Sequence, residues 1–392
     1  MLSRVGRLLF GRRRRAERGG DLSSTDSGQS KQTESKEEDI ALAPQLEVNA
    51  ERIKEAFGNS SDLELRYLVV GQDRRTSVLV VFIDGMTDED YLSRAMLVPL
   101  AETESVWSNA LEAYQDMKGR LLAIGDVREV QALEQVLTAI SAGDAALMVQ
   151  GVARTLICGT RGMSERAIEE PSTEATIRGA KEGFVESLRT NTSLIRRRIR
   201  SPRLRIEEHV IGRISRTKVA LAYIAGLADE RLVQEARERL DRIDVDAVHG
   251  SGQIEEYVED APFSPFPTWM TTERPDRVTG ALLEGRVAMV IDGTPFQLIA
   301  PATFTMFLSS SEDYFDRSYI GTFVRLLRFA AFFLSLTLSS LYVAVTTFHQ
   351  EMLPTPLILN IAAQREGVPV PAALEAIIME LIFELMREAG VR

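Results

Sequence analysis

LELRYLVVGQDRRTSVLVVFIDGMTDE, Leu63 to Glu89, and LRIEEHVIGRISRTKVALAYIAGLADE, Leu204 to Glu230, are one pattern written twice. Laid over each other without a gap, at an offset of 141, they share ten of 27 residues, including Gly71/Gly212, Thr76/Thr217, Ile83/Ile224, Gly85/Gly226 and Asp88/Asp229. Each copy reads as an alternating apolar run, a glycine-containing turn, a second apolar run, another glycine and an acidic pair. That is a strand, a turn, a strand and a helix start. At an offset of 142, Gly143–Cys158 meets Gly285–Ala300, with Gly151/Gly293, Leu156/Leu298 and Ile157/Ile299 matching. Chance likeness between two amphipathic strands does not explain a match that recurs so far downstream at nearly the same offset. The sequence therefore predicts a tandem duplication, giving an α/β head of two similar subdomains.

Within the first copy, Asp62–Gly71 and Ser77–Ile83 are expected strands, and Asp88–Leu100 an expected helix. A second helix is expected from about Val127 to Ala142, followed by a hairpin of Ala145–Val149 and Arg154–Cys158 about Gln150-Gly151. The domain plan is a basic and polar tail over 1–44, subdomain 1 over 45–165 and a helical connector over 166–203. Subdomain 2 covers 204–305, and a membrane region covers 306–392. The tail holds seven arginines in its first eighteen residues and too little apolar surface to order itself. Arg12–Arg15 suit either solvent or anionic lipid.

Phe329 to Phe348, FAAFFLSLTLSSLYVAVTTF, runs for twenty positions without a charge. That length crosses a ~30 Å hydrocarbon core at ~1.5 Å per residue. A buried core helix is the competing explanation, and the charged flanks favour the membrane. Arg325 and Arg328 precede the span, placing the head on the cytoplasmic side. Ala331, Ser335 and Ser339 form a small-residue stripe suited to close helix packing, or one that arises by chance. Beyond MLPTP at Met352–Pro356, an amphipathic helix is expected over 372–389. It carries Glu380, Glu384 and Glu388 at i, i+4 and i+8. These carboxylates either line a cation path or face water from an interfacial helix.

The 392 residues are 26% charged and 45% hydrophobic, ordinary for folded domains, and the net charge of −11 argues against nucleic acid as a partner. One cysteine, Cys158, excludes an internal disulfide framework and fits a reducing compartment. His209, His249 and His349 show no metal-ligand spacing, and no cofactor motif is present. There is no phosphate loop, no G-x-S-x-G elbow and no H-E-x-x-H, so nothing points to an enzyme. His249-Gly-Ser251 reads as a turn, and Glu169-Glu170 as a solvated pair. The run Arg196, Arg197, Arg198 and Arg200 suits a solvated helix end, salt bridges to the acidic head, or a phosphate or lipid contact. PFSPFP, Pro262–Pro267, suits a fixed linker path.

EEPSTEATIRGAKEGFVESLRTNTSLIRRRI (Glu169–Ile199), FPTWMTTERPD (Phe266–Asp276), LLEGRVAMVIDGTPF (Leu282–Phe296), SEDYF (Ser311–Phe315), the span and REGVPVPAALEAIIMELIFELMREAGVR (Arg365–Arg392) together resemble the A subunits of the GerA family of spore germinant receptors. Weaker likeness reaches back to FGNSSDLELRYLVVG, Phe57–Gly71. The resemblance implies a nutrient-sensing receptor subunit in the inner membrane of a bacterial spore. It implies a transporter-like B subunit and a lipoprotein C subunit as partners, and a homo-oligomer of A subunits forming a ligand-gated ion channel. The alternatives are a membrane-anchored scaffold, an amplifying paralogue without its own nutrient response, and a head that itself senses a small molecule in a cleft between subdomains. The chain departs from the family pattern at Ala180-Lys181, at Thr268-Trp269 and at Ser339, where Pro-Arg, Gln and Pro are usual. Family members continue past the EAGVR stretch with further membrane helices, so this chain, ending at Arg392, is expected to be truncated.

Overall fold

Leu63–Val70 (β1) and Thr76–Ile83 (β2), dense in Val, Leu and aromatics, pair antiparallel in one register from Leu63↔Ile83 to Val70↔Thr76. They follow the helix Leu46–Phe57 (α1) and open a five-stranded sheet of order β1-β2-β4-β5-β3. A computed structural model describes residues 40–392 apart from 163–170, 172, 175, 177, 178, 261–263, 265, 311, 316, 366, 368, 369, 391 and 392. Most of the basic tail, Glu169-Glu170 and four positions in and beside PFSPFP therefore lie outside the described residues.

Between β2 and β3 (Val127–Val130) lies a helix, α2, built of Glu89–Leu92, a π turn at Ser93–Leu97 and Val98–Glu102. Ala110–Asp116 (α3) follows it. The helix Leu133–Ser141 (α4) then leads to Ala145–Val149 (β4) and Thr155–Cys158 (β5). The helix expected over Val127–Ala142 is thus a strand followed by a shorter helix. Val127–Val130 finds backbone partners across the sheet in β5, from Val127↔Cys158 to Val130↔Thr155. Both edges of the hairpin are then used, and the first four residues of the expected helix serve the sheet instead.

The second sheet repeats the first. After the helix Leu188–Arg198 (α5) come Leu204–Ile211 (β6), Thr217–Ile224 (β7), the helices Glu230–Arg242 (α6) and Ser251–Val258 (α7), and Met270–Thr272 (β8). Pro275–Leu283 (α8), Val287–Ile291 (β9) and Gln297–Ala300 (β10) complete it. Its order, β6-β7-β9-β10-β8, is that of the first sheet. Helices cover both faces of each. In the first, Ile53 and Val136 of α1 and α4 pack on Val81 and Met148, while Met96 and Tyr114 of α2 and α3 pack on Val80 and Leu147. In the second, Ile195 and Val278 of α5 and α8 cover Ala222 and Val290. Val233 and Ile254 of α6 and α7 cover Leu221 and Met289.

The repetition extends to single hydrogen bonds. The Asn49 side chain accepts from Ala43 N (2.9 Å) and donates to Ala43 O (2.7 Å). Asn191 does the same to Val185, at 2.8 and 2.6 Å. Gln150 Oε1 accepts from Leu46 N at the start of α1, and Asp292 Oδ1 accepts from Leu188 N at the start of α5. Gly85 and Gly226 end β2 and β7 with φ of 77° and 74°, a left-handed turn that side chains resist. Asp88 and Asp229 then cap the following helices, each accepting a backbone N–H from the first turn.

Past β10 the chain forms two short helices, Phe304–Phe307 (α9) and Glu312–Phe315 (α10), then the 30-residue helix Ser318–Thr347 (α11). This is the one described helix long and apolar enough to cross a membrane. It begins eleven residues before the charge-free run at Phe329, and Tyr319, Phe323 and Leu326 are exposed on this first stretch. Thr355–Arg365 (α12) and Ala372–Gly390 (α13) close the described chain, and α13 packs beside α11.

Candidate functional site

Two of the places in the fold that gather charged side chains with defined partners are the junction of the subdomains and the root of α11. At the junction Arg196 of α5 is 1% exposed, although it stands in a run of arginines. On a helix it shares the face of Leu188, Thr192 and Ile199 and is carried inward with them. Its Nε and Nη2 donate to the two oxygens of Asp62, at 2.7 and 2.9 Å, in a bidentate pair. Nη2 also donates to Ser60 Oγ (2.8 Å) and Nη1 to Leu204 O (3.0 Å), while the guanidinium lies 5.7 Å from the Phe57 ring centre. Ser60 Oγ accepts from Ile206 N, and Ser61 N donates to Ile206 O. Asp62, Ser60 and Phe57 belong to the first subdomain and Leu204 and Ile206 to the second, so one buried cation joins them. The next two arginines, Arg197 and Arg198, pair with Glu182.

Beside this junction are two clefts that share Arg189. One, of about 240 Å³, is bounded by Asp62 and Asp84 from the first subdomain and by Glu208, Lys218 and Asp292 from the second. The other, of about 430 Å³, is bounded by Gly85, Asp88, Glu89, Asp90 and Ser193. Arg189 bridges Asp84 (2.5 Å) and Glu89, and Lys218 Nζ lies 2.8 Å from Glu208. The convergent polar set that the sequence does not reveal is therefore present, drawn from both halves. Its signal in the sequence is weak because its members stand up to 230 positions apart, from Asp62 to Asp292.

At the root of α11, Asp313 of α10 has a side chain 3% exposed and receives Arg328 through both oxygens, at 2.9 and 3.1 Å. Arg325 Nε stands 3.5 Å from the same carboxylate. Arg328 also donates to Leu308 O (2.7 Å). Gly321 lies so close to Asp313 that an added Cβ would sit 2.5 Å from its carbonyl oxygen. A Cβ on Gly179, in the connector, would meet the Phe315 ring at 2.9 Å. Arg325 and Arg328 thus anchor α11 to α10 and to the chain just before it. The sequence signal, an Asp in SEDYF, was too short to announce this.

The other expected positions are dispersed. Ala331, Ser335 and Ser339 are exposed along α11. Glu380, Glu384 and Glu388 are exposed along α13, where Glu384 is bonded to Arg387. Ser251 is the first residue of α7 and His249 stands two residues before it, its backbone N donating to Gln253 Oε1. Among the described residues no group of three or more His, Cys, Asp or Glu is arranged to hold a metal ion. Burial pushes the Cys158 thiol up to about 12, with Asp144 and Asp126 adding to it, so this cysteine is not a nucleophile near neutrality.

A family model described as "Bacillus/Clostridium GerA spore germination protein" matches residues 51–392. The chain belongs to the GerA family. Spore germination protein KA of Bacillus subtilis is 43% identical over 357 residues, 91% of this chain and 65% of that protein. The uncharacterized membrane protein YfkQ of the same organism is 39% identical, over 91% of this chain and 68% of its own length. The chain thus spans about two thirds of these GerA relatives. The crystal structure of the N-terminal domain of the A subunit of the Bacillus megaterium spore germinant receptor GerK3 is 36% identical with a TM-score of 0.53. It covers 68% of this chain and 98% of that domain. The head of two antiparallel sheets is therefore the N-terminal domain of a GerA protein, followed by a helical region.

Proposed function

We propose that this chain is the membrane subunit of a nutrient germinant receptor that triggers spore germination, acting within an oligomeric, ligand-gated ion channel. Membership of the GerA family and relatives called spore germination proteins support the receptor role. The observation that carries the coupling is the Asp313 clamp, because Arg325 and Arg328 tie α11 to α10, the segment through which the head reaches the membrane helix. On this reading the partners are the transporter-like B subunit, the lipoprotein C subunit and further A subunits. The protein resides in the spore inner membrane with its head in the cytoplasm. Arg325 and Arg328 keep their topological weight despite Asp313, since acidic residues contribute little to that rule. Ala331, Ser335 and Ser339 serve as a packing seam between helices. Glu380, Glu384 and Glu388 line the cation path, as rings of carboxylates select cations.

Ion flux through the assembled receptor tests the reading. Glu380→Gln, Glu384→Gln and Glu388→Gln should each lower cation selectivity. Unchanged flux and selectivity in all three removes the pore role, and an assembly that binds partners without conducting is a scaffold. The clefts around Arg189 favour a second reading, in which the head senses a small molecule between its subdomains. Calorimetric titration of the head with amino acids and sugars tests it. Heat that disappears in Arg189→Ala supports it, and absence of heat with every ligand rejects it.

A further inference from the structure

The helix α11 is ~45 Å long at ~1.5 Å per residue, half as long again as a ~30 Å hydrocarbon core. About twenty residues fill that core. Counted back from Thr347, after which His349 and Glu351 follow, they reach Arg328, the last charged residue before the apolar run. The boundary of the bilayer on the head side therefore lies at Arg328.

The head does not stop there. The Phe304 ring of α9 packs edge-on against Phe332 of α11, with centroids 5.2 Å apart. Phe332 is one helical turn, ~6 Å, to the membrane side of Arg328. From Phe304 the chain climbs back along α11: Leu308 meets Arg328 and Asp313 meets Gly321. This segment thus lies against ~16 Å of the helix. It is held to the head as well, because Ala302 and Met306 pack on the apolar core of the second sheet. Phe304 and Phe307 are each 46% exposed and Phe323 is 58%. The charges beside them, Arg325 and Arg328, are turned onto Asp313. Exposed aromatics beside a membrane helix suit the lipid interface, where their rings meet acyl chains and headgroups.

We propose that Phe304, Phe307 and Phe323 form a collar that inserts into the headgroup and upper acyl layer, so that the head rests in the lipid surface instead of standing off it. The proposal rests on the reading of α11 as a membrane span. Its occupant is phospholipid.

The test uses the full chain in vesicles of phosphatidylethanolamine and phosphatidylglycerol. Cys158 is the sole cysteine and is fully buried. Nitroxides placed one at a time through Phe304→Cys, Phe307→Cys, Leu338→Cys and Val106→Cys, in a Cys158→Ala background, therefore report single depths. Leu338 is near the middle of the span, and Val106 is an exposed position of the head. Collision with oxygen, relative to a water-soluble nickel chelate, rises with depth. At Phe304 and Phe307 the ratio should be several-fold above that at Val106 and below that at Leu338. A ratio equal to that at Val106, with Leu338 deep, overturns the collar and leaves the span standing. An aqueous ratio at Leu338 overturns both. Shielding of Phe304 and Phe307 from both reagents assigns the collar to a second protein surface and overturns the lipid.

Discussion

Asp62→Ala should be among the most damaging single changes in the head. It removes both oxygens that Arg196 grips at 2.7 and 2.9 Å and leaves a guanidinium that is 1% exposed with neutral partners only. Breaking a buried ion pair from one side costs about 3–5 kcal/mol, because the remaining charge is neither hydrated nor compensated. At ~2–4 °C per kcal/mol for a domain of this order of size, the loss lowers Tm by roughly 6–20 °C. Urea and thermal unfolding of the isolated head, followed by circular dichroism, measure it. The pair joins the two subdomains through Ser60, Asp62, Leu204 and Ile206. Asp62→Ala should therefore also split one unfolding transition into two. Asp62→Leu combined with Arg196→Met should recover most of the loss, since apolar residues of similar volume replace buried ion pairs at little cost. A cost below ~1 kcal/mol for Asp62→Ala, within a single sharp transition, would refute the view that this pair welds the halves.

Stability should fall on the alkaline side. Burial holds the Cys158 thiol at about 12, and burial together with the Glu207 hydrogen bond holds the Tyr223 hydroxyl at about 12. Tyr67 is raised as well, mainly by burial. Raised folded values mean that the folded state binds more protons, so this stabilisation is complete below about pH 8.5–9 and is lost as pH climbs towards 12. A pH series of denaturation midpoints that stays flat from pH 8 to 11 contradicts it. Cys158 should also resist alkylation at pH 8 until the head unfolds. Asn49→Ala and Asn191→Ala each strand a backbone N–H and a carbonyl that the amide satisfies. Each should cost about 1–3 kcal/mol and by similar amounts, measured by urea midpoint. If one is silent while the other is severe, the two subdomains do not share this support.

The strand pair that opens each sheet, and its duplication, follow from the sequence alone. Side-chain alternation in Leu63–Val70 and Leu204–Ile211 depends only on neighbours along the chain, and the turn glycines Gly85 and Gly226 need only the left-handed backbone. The apolar run at Phe329–Phe348 is equally local, since its length and lack of charge are the whole signal. Tertiary structure decided what depends on partners distant in sequence. Val127–Val130 is a strand because Thr155–Cys158 offers it a backbone edge. Arg196 is a buried weld instead of a solvated charge because Asp62 stands 134 positions away, ready to receive it. Arg325 and Arg328 are clamps as well as flanks because Asp313 faces them. Periodicity tells which face of a helix turns inward. Only the packed chain brings the opposite charge to meet it, and in a low-dielectric interior that meeting determines whether a charged side chain can stay there.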